Sequence, residues 1–188
     1  PFHLSEPQKA IFRAIAQYPE TLVIAGSKGG KSTIAAESTL FGVYKLLQLT
    51  DPQREYGLNS GCPIYCMNIA PKEDLAINII LNYIEGFAED SWYLSEYMET
   101  RRKNEVVFTD NIIARAQGSS STAGRGYMIY FLVCDEFCHF RSTTGALSGN
   151  QVINAYMPRL LPFREDGRFI GISTPAGRQG IAYEMFRT

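Results

Sequence analysis

The chain has 188 residues, a formal net charge of −1, 45% apolar residues and 20% charged residues. That is an ordinary globular composition, long enough for one domain with a real core and too short for two ordinary ones. It excludes wholesale disorder, a membrane span (no run approaches ~20 apolar residues) and a strongly basic nucleic-acid coat, while leaving room for a local basic strip. The sequence opens on Pro1 with no signal-peptide pattern, so it reads as an excised or processed piece of something longer.

Residues 5–17 open with Ser-x-x-Gln and carry Ala10, Ile11, Ala14 and Ile15 at helical spacing, which predicts a first helix. Residues 21–25 form a short, wholly apolar run and predict a buried strand, followed by a glycine-rich turn at 26–30. Residues 31–48 predict a helix with Ile34, Ala35, Leu40, Val43, Leu46 and Leu47 inward. The polar stretch 51–61, with Pro52, Gly57, Asn59 and Gly61, predicts a loop. A second strand is expected at 64–69. A helix is expected from Pro71 to about Phe87, with Leu75, Ile79, Ile80, Tyr83, Ile84 and Phe87 on its inner face. Residues 91–103 fit no single element, and 105–108 with 112–117 form a hairpin about Asp110-Asn111. A small-residue loop at 118–126 leads into the most apolar run, 128–134. A helix near 149–160, a strand at 168–173 and a helix from Ile181 complete the chain. No repeat or low-complexity linker divides it. The alternation predicts an α/β domain with a mostly parallel sheet covered by helices on both faces.

Cys62, Cys66, Cys134 and Cys138 form two C-x3-C pairs in apolar stretches, spacing that suits buried thiols in a reducing compartment. A metal knuckle completed by His139 is the alternative.

The strongest signal is Ala25-Gly26-Ser27-Lys28-Gly29-Gly30-Lys31-Ser32-Thr33, set between a predicted strand and a predicted helix. Small residues let the backbone curl so that successive N–H groups point at phosphate oxygens, and the helix N-terminus adds positive charge. Lys31 is placed to reach the β- and γ-phosphates and Ser32 to ligate Mg²⁺. Ala25 stands where the G-x-x-x-x-G-K-[ST] pattern has glycine, with Gly26 able to take part of the turn. The second signal is Phe131-Leu132-Val133-Cys134-Asp135-Glu136, an apolar strand that delivers two carboxylates to the sheet's C-terminal edge. There Asp135 suits a Mg²⁺ shell and Glu136 the polarising of an attacking water, which an NTP hydrolase needs and a small-molecule kinase does not. No N-K-x-D guanine-reading motif occurs, which disfavours a GTPase. Lys28 and Lys31 are too close in sequence for the signature lysine of partitioning ATPases.

In these motifs the chain resembles the ATPase domain of the large terminase subunit, the motor that packages DNA into tailed-phage capsids. Leu4-x-x-x-Gln8 resembles the adenine-sensing segment. The phosphate loop is similar, with its non-glycine first position and extra basic Lys28. The loop 118–126 resembles the segment ending in Arg-Gly, here Arg125-Gly126. Ile172-Ser173-Thr174-Pro175-Ala176-Gly177 resembles the coupling motif. The resemblance spans positions 4 to 186. It implies an additional-strand, catalytic-glutamate P-loop NTPase fold in one motor domain over 1–188, with the family's C-terminal nuclease domain absent. It also implies Mg²⁺-dependent ATP hydrolysis that moves double-stranded DNA through a homo-oligomeric ring in the host cytoplasm, with a capsid portal and a small terminase subunit as partners. On this resemblance Gln8 contacts adenine; Ser27, Lys28, Gly29, Gly30, Lys31, Ser32 and Thr33 hold phosphates; and Ser32 and Asp135 support Mg²⁺. Glu136 is the base, Ser173 and Thr174 sense the γ-phosphate, and Arg125 reaches a neighbour's site as a finger.

Simpler readings stand beside these. Gln8 also suits a helix cap. Arg125 also suits a surface loop, and Ser173-Thr174-Pro175 a strand-end turn. Arg101-Arg102-Lys103 suits either DNA phosphates or a solvated turn, and Phe2 or His3 either adenine stacking or a loose terminus. A helicase-like or recombination-type P-loop ATPase and a nucleotide-dependent assembly module are the alternative functions.

Overall fold

The computed structural model describes residues 4–26, 29–119, 126–140, 149–175, 183 and 185. Helix α1 (Glu6–Gln17) starts where Ser5 donates its backbone N–H and its hydroxyl to Gln8 Oε1, at 2.8 and 2.9 Å. Strand β1 (Glu20–Ile24) follows, but it is not the buried strand its apolar run predicts. Only Val23 is buried and Ile24 is half exposed, because β1 lies at the edge of the sheet. Helix α2 (Lys31–Leu47) buries Ile34, Ala35, Leu40, Val43, Leu46 and Leu47, as the spacing requires. The stretch read as a loop contains a short helix, α3 (Pro52–Glu55), capped by Asp51, whose carboxylate accepts from Arg54 N–H at 3.0 Å.

Strand β2 (Ile64–Ala70) is wholly buried, and Cys62 precedes it. The helix expected from Pro71 is three pieces: α4 (Glu73–Leu75), a π-helical stretch (Ala76–Leu81) and α5 (Asn82–Asp90). Ala76, Ile80, Leu81, Ile84 and Ala88 turn inward, whereas Ile79 and Tyr83, expected inside, are exposed. The wider i→i+5 turns rotate the inner face away from the one that uniform 3.6-residue spacing gives. The ambiguous stretch resolves into α6 (Leu94–Tyr97) and β3 (Met98–Arg102). Strands β4 (Glu105–Phe108) and β5 (Ile112–Gly118) are antiparallel about Asp110 and Asn111, both at positive φ (58° and 54°), as the hairpin signal requires. Then come β6 (Met128–Asp135), α7 (Gly149–Tyr156), 3₁₀ turns at Met157–Arg159 and Leu161–Asp166, and β7 (Arg168–Ser173).

The seven strands form one sheet in the order β1-β7-β6-β2-β5-β4-β3. The first five in that order run parallel, and β4 and β3 are antiparallel additions. One face packs Ile64, Cys66, Val133 and Ile172 under α1, α2 and α5, and the other packs Tyr65, Met67, Leu132 and Phe169 under α7 and its 3₁₀ turns. A bulge in β6 skips Tyr130 in the pairing with β2, so Tyr130 and Phe131 both face α2's side. The topology is that of an additional-strand α/β P-loop NTPase. Strand β7, late in the chain, is inserted between β1, which ends in the glycine-rich loop, and β6, which ends in the two acids. Because these three strands are parallel, their C-terminal ends meet on one edge.

Candidate nucleotide site

The loop after β1 is tied to β7 at its first residue: Ala25 N–H donates to Ser173 O at 3.0 Å. Its turn closes where Gly29 N–H donates to Gly26 O at 3.3 Å. Gly30 is left-handed (φ 72°), which a side chain would strain, and its carbonyl accepts the first bond of α2, from Ile34 N–H at 2.9 Å. A Cβ on Gly30 would lie 3.1 Å from Gln8 Nε2, so the Gln8 amide, while bonded to Ser5, also sits against the loop. The cap reading and the loop reading of Gln8 are thus geometrically compatible. Lys31 donates to Gly26 O at 3.1 Å, and its ammonium lies 3.8 Å from Glu136 Oε1. Ser32 and Thr33 form the first turn of α2, partly buried. Ser27 and Lys28 lie outside the described residues, as does Arg125.

Asp135 ends β6 with its side chain almost wholly buried, and among the described residues its Oδ1 has no hydrogen-bond partner. Burial, and then the neighbouring charge of Glu136, push its pKa up to about 6 against the pull of the Glu136 N–H and Lys31. Glu136 takes a left-handed backbone (φ 52°, ψ 41°), a strained conformation for a residue with a side chain. That reversal starts the 3₁₀ turn Phe137–His139 and aims the carboxylate at the end of β7. Glu136 Oε2 accepts from Thr174 N–H at 3.2 Å and from the Thr174 hydroxyl at 3.0 Å. The Ser173 hydroxyl, which accepts from Cys138 N–H at 3.1 Å, lies 3.4 Å from the same oxygen. Burial draws the Glu136 pKa upward, but the two Thr174 donors and Lys31 outweigh it and hold the carboxyl below its ordinary range.

The structure therefore gathers Gln8, Gly29, Gly30, Lys31, Asp135, Glu136 and Thr174 about one corner of the sheet. It adds a residue not counted among the site residues. His139 Nε2 lies 2.8 Å from Thr174 Oγ1 and 3.7 Å from Glu136 Oε2. The signal was its spacing: in a 3₁₀ turn residues i and i+3 eclipse, so a third residue after Glu136 falls back over it. Arg101 and Arg102 are engaged elsewhere, on edge strand β3, with Glu85 at 3.1 Å and Glu105 at 3.5 Å. Cys66 and Cys134 are buried thiols whose pKa burial raises, and Cys62 and Cys138 are half-buried and free. Among the described residues no group of three or more His, Cys, Asp or Glu is placed to hold a metal ion. Nor is any helix among them long and apolar enough to cross a membrane.

The family described as "Uncharacterized protein MJ0330, N-terminal P-loop domain" matches residues 3–188. No curated protein matches the sequence. Among solved structures the chain is similar to the HK97 bacteriophage large terminase, with a TM-score of 0.68 and 16% identity over 97% of this chain and 36% of that one. It is also similar to the N-terminal domain of the DNA packaging ATPase of bacteriophage phi29, with a TM-score of 0.55 and 13% identity over 97% of this chain and 85% of that one. A third similarity is to the phi29 viral genome packaging motor assembly, with a TM-score of 0.54 and 14% identity over 98% and 51%. The chain thus spans about a third of the length of the HK97 protein. At these identities the likeness is one of fold.

Proposed function

The chain belongs to the family of the MJ0330 N-terminal P-loop domain, and we propose that it hydrolyses ATP to drive double-stranded DNA into a viral capsid, as the motor part of a large-terminase-type ring. The observation that carries this reading is the approach of Lys31 to Glu136, 3.8 Å apart, where the glycine-rich loop meets the end of β6. A phosphate-binding cation beside a water-polarising carboxylate is the pairing that attack of water on a phosphoryl group needs.

In this reading the loop N–H groups of Gly29 and Gly30, with Ser27 and Lys28, cradle the phosphates. Lys31 exchanges Gly26 O for the β- and γ-phosphate oxygens, and Thr33 supports the phosphate end of α2. Gln8, already against Gly30, lies toward the base. The buried and unpartnered Asp135 Oδ1 fits a cation, and with the Ser32 hydroxyl it would hold Mg²⁺. Mg²⁺ when bound neutralises phosphate charge. Glu136, kept ionised by its donors, takes the proton of the attacking water. Ser173 and Thr174 couple that event to β7 and, through the Ala25–Ser173 bond, back to the loop. Arg125 completes the site from a neighbouring subunit. Portal and small-subunit partners, and a place in the host cytoplasm, belong to the same reading.

ATP turnover with and without double-stranded DNA tests it. Wild-type protein is expected to release phosphate faster with DNA, and Lys31→Ala to lose ATP binding at least a hundredfold. Unchanged ATP affinity in Lys31→Ala, or no turnover with DNA by the assembled full-length protein, overturns it.

A further inference from the structure

We propose that His139 is a positioning residue that, through the single hydroxyl hydrogen of Thr174, sets whether Glu136 is held against the end of β7 or released toward its water. This rests on the reading of Glu136 as the base.

The argument is a count of donors. Thr174 Oγ1 carries one hydrogen and has two neighbours, Glu136 Oε2 at 3.0 Å and His139 Nε2 at 2.8 Å. An ionised carboxylate can only accept, whereas a neutral imidazole nitrogen donates or accepts according to tautomer. While the hydroxyl is given to Glu136, His139 must present an N–H at Nε2 to the Thr174 oxygen. When Glu136 turns away, the hydroxyl loses its acceptor, and a bare His139 Nε2 replaces it. The change conserves protons: Nε2 gives one to water and Nδ1 takes one from water, and the ring is exposed enough (38% of its side chain) for water to reach it.

The backbone keeps these atoms in register. His139 N–H donates to Glu136 O at 2.8 Å, which fixes the 3₁₀ turn that lays His139 over Glu136. Thr174 N–H, the Ser173 hydroxyl and the Lys31 ammonium are the other groups facing the carboxylate, at 3.2, 3.4 and 3.8 Å. A phosphate that draws Lys31 away removes one restraint on Glu136. The Thr174 hydroxyl remains as the restraint that His139 can relieve.

Because the chain has only two histidines, His3→Gln leaves the ring nitrogens of His139 alone in a ¹⁵N imidazole spectrum. Nucleotide-free protein is expected to show Nε2 protonated, and Thr174→Val to abolish that preference. A bare Nε2 in the wild type, or a spectrum indifferent to Thr174→Val, overturns the proposal. In turnover by the assembled full-length protein, His139→Phe is expected to lower kcat about tenfold with KM for ATP unchanged. His139→Gln, which can donate and accept, should restore most of that loss, and His139→Phe should cost nothing further in a Thr174→Val background. Additive losses, or a raised KM alone, also overturn it. If the wild type turns over no ATP, the functional reading falls while the nitrogen spectrum still decides the role of His139. That spectrum also needs no variant at position 139, so a misfolded His139→Phe does not leave the question open.

Discussion

Glu136 and Glu37 are both partly buried carboxylates close to α2, and their surroundings treat them oppositely. Glu136, where β6 and β7 end, is met by the Thr174 N–H, the Thr174 hydroxyl and Lys31, and its pKa falls. Glu37 faces a groove of about 630 Å³ between α1, α2 and residues 91–94, lined by Leu4, Phe12, Phe41, Tyr44 and Trp92. Among the described residues its Oε2 has no hydrogen-bond partner, and burial alone lifts its pKa to about 7. The two regions show where this fold concentrates polar compensation. At the corner, donors offset the desolvation of a charge. In the groove no described residue does, so there the charge is a cost. Removing Glu136's charge should cost function and, at neutral pH, a little stability, whereas removing Glu37's should leave function alone and add stability.

The largest effect belongs to Glu136→Gln. The amide keeps the shape and can still accept from Thr174, but it cannot take a proton. Under the proposed mechanism phosphate release should fall about 10²–10⁴-fold while ATP still binds. Single-turnover kinetics beside equilibrium ATP binding measure the two halves separately. Equal loss of both would erase the contrast with Lys31→Ala.

What the sequence made legible follows from how local each signal is. Strand β7, the hairpin about Asp110-Asn111 and the inner face of α2 are readable because composition and period act within a few residues. The meeting of Lys31 with the end of β6 is readable because both motifs sit at C-terminal ends of parallel strands. The edge position of β1 is not, since an apolar run carries no record of how many neighbours a strand has. Nor is the inner face of residues 76–88, where a π-helical stretch changes the phase that a 3.6-residue reading assumes. The i+3 spacing lays His139 over Glu136, but its contact with Thr174 is hidden: Thr174 follows the end of β7, 35 residues on, and only the left-handed turn at Glu136 brings the two together. Glu37 gives no signal either, because a single acid on a helix otherwise looks like a solvated face.

Helix α2 connects the two regions, with Lys31 at its start and Glu37 on its outer side, so displacing it should disturb both. Gly42 sets its distance from the sheet: a Cβ there would lie 2.7 Å from Phe131 Cγ and 2.9 Å from Cys66 Sγ, both wholly buried. Gly42→Ala gains roughly 1 kcal/mol of helix propensity. It should nonetheless lose about 1–3 kcal/mol net, because neither contact is the free end of a flexible chain. Urea unfolding measures the loss, and a weakened ATP affinity in the same variant would show that the helix, and not the groove alone, has moved. A stabilised Gly42→Ala would mean that the sheet yields easily at Phe131.

The smallest and most selective effect belongs to Glu37→Gln, and its sign follows from the raised pKa. In the folded chain Glu37 keeps its proton up to about pH 7, whereas unfolded it gives it up near 4.5. Between these values the folded state binds more protons, so Glu37 lowers stability progressively as pH rises through that window, and the full cost persists above it. Glutamine has the same shape and no charge. At pH 8 Glu37→Gln should therefore be more stable than wild type by roughly 1–2 kcal/mol, a figure reduced because the side chain is only partly buried. At pH 3, where Glu37 is almost wholly protonated in both states, the difference should vanish. Urea unfolding at the two pH values decides the matter. A gain equal at both would assign the effect to packing, and a loss at pH 8 would mean that Glu37 has a cationic partner and that the groove resembles the corner at Glu136 after all.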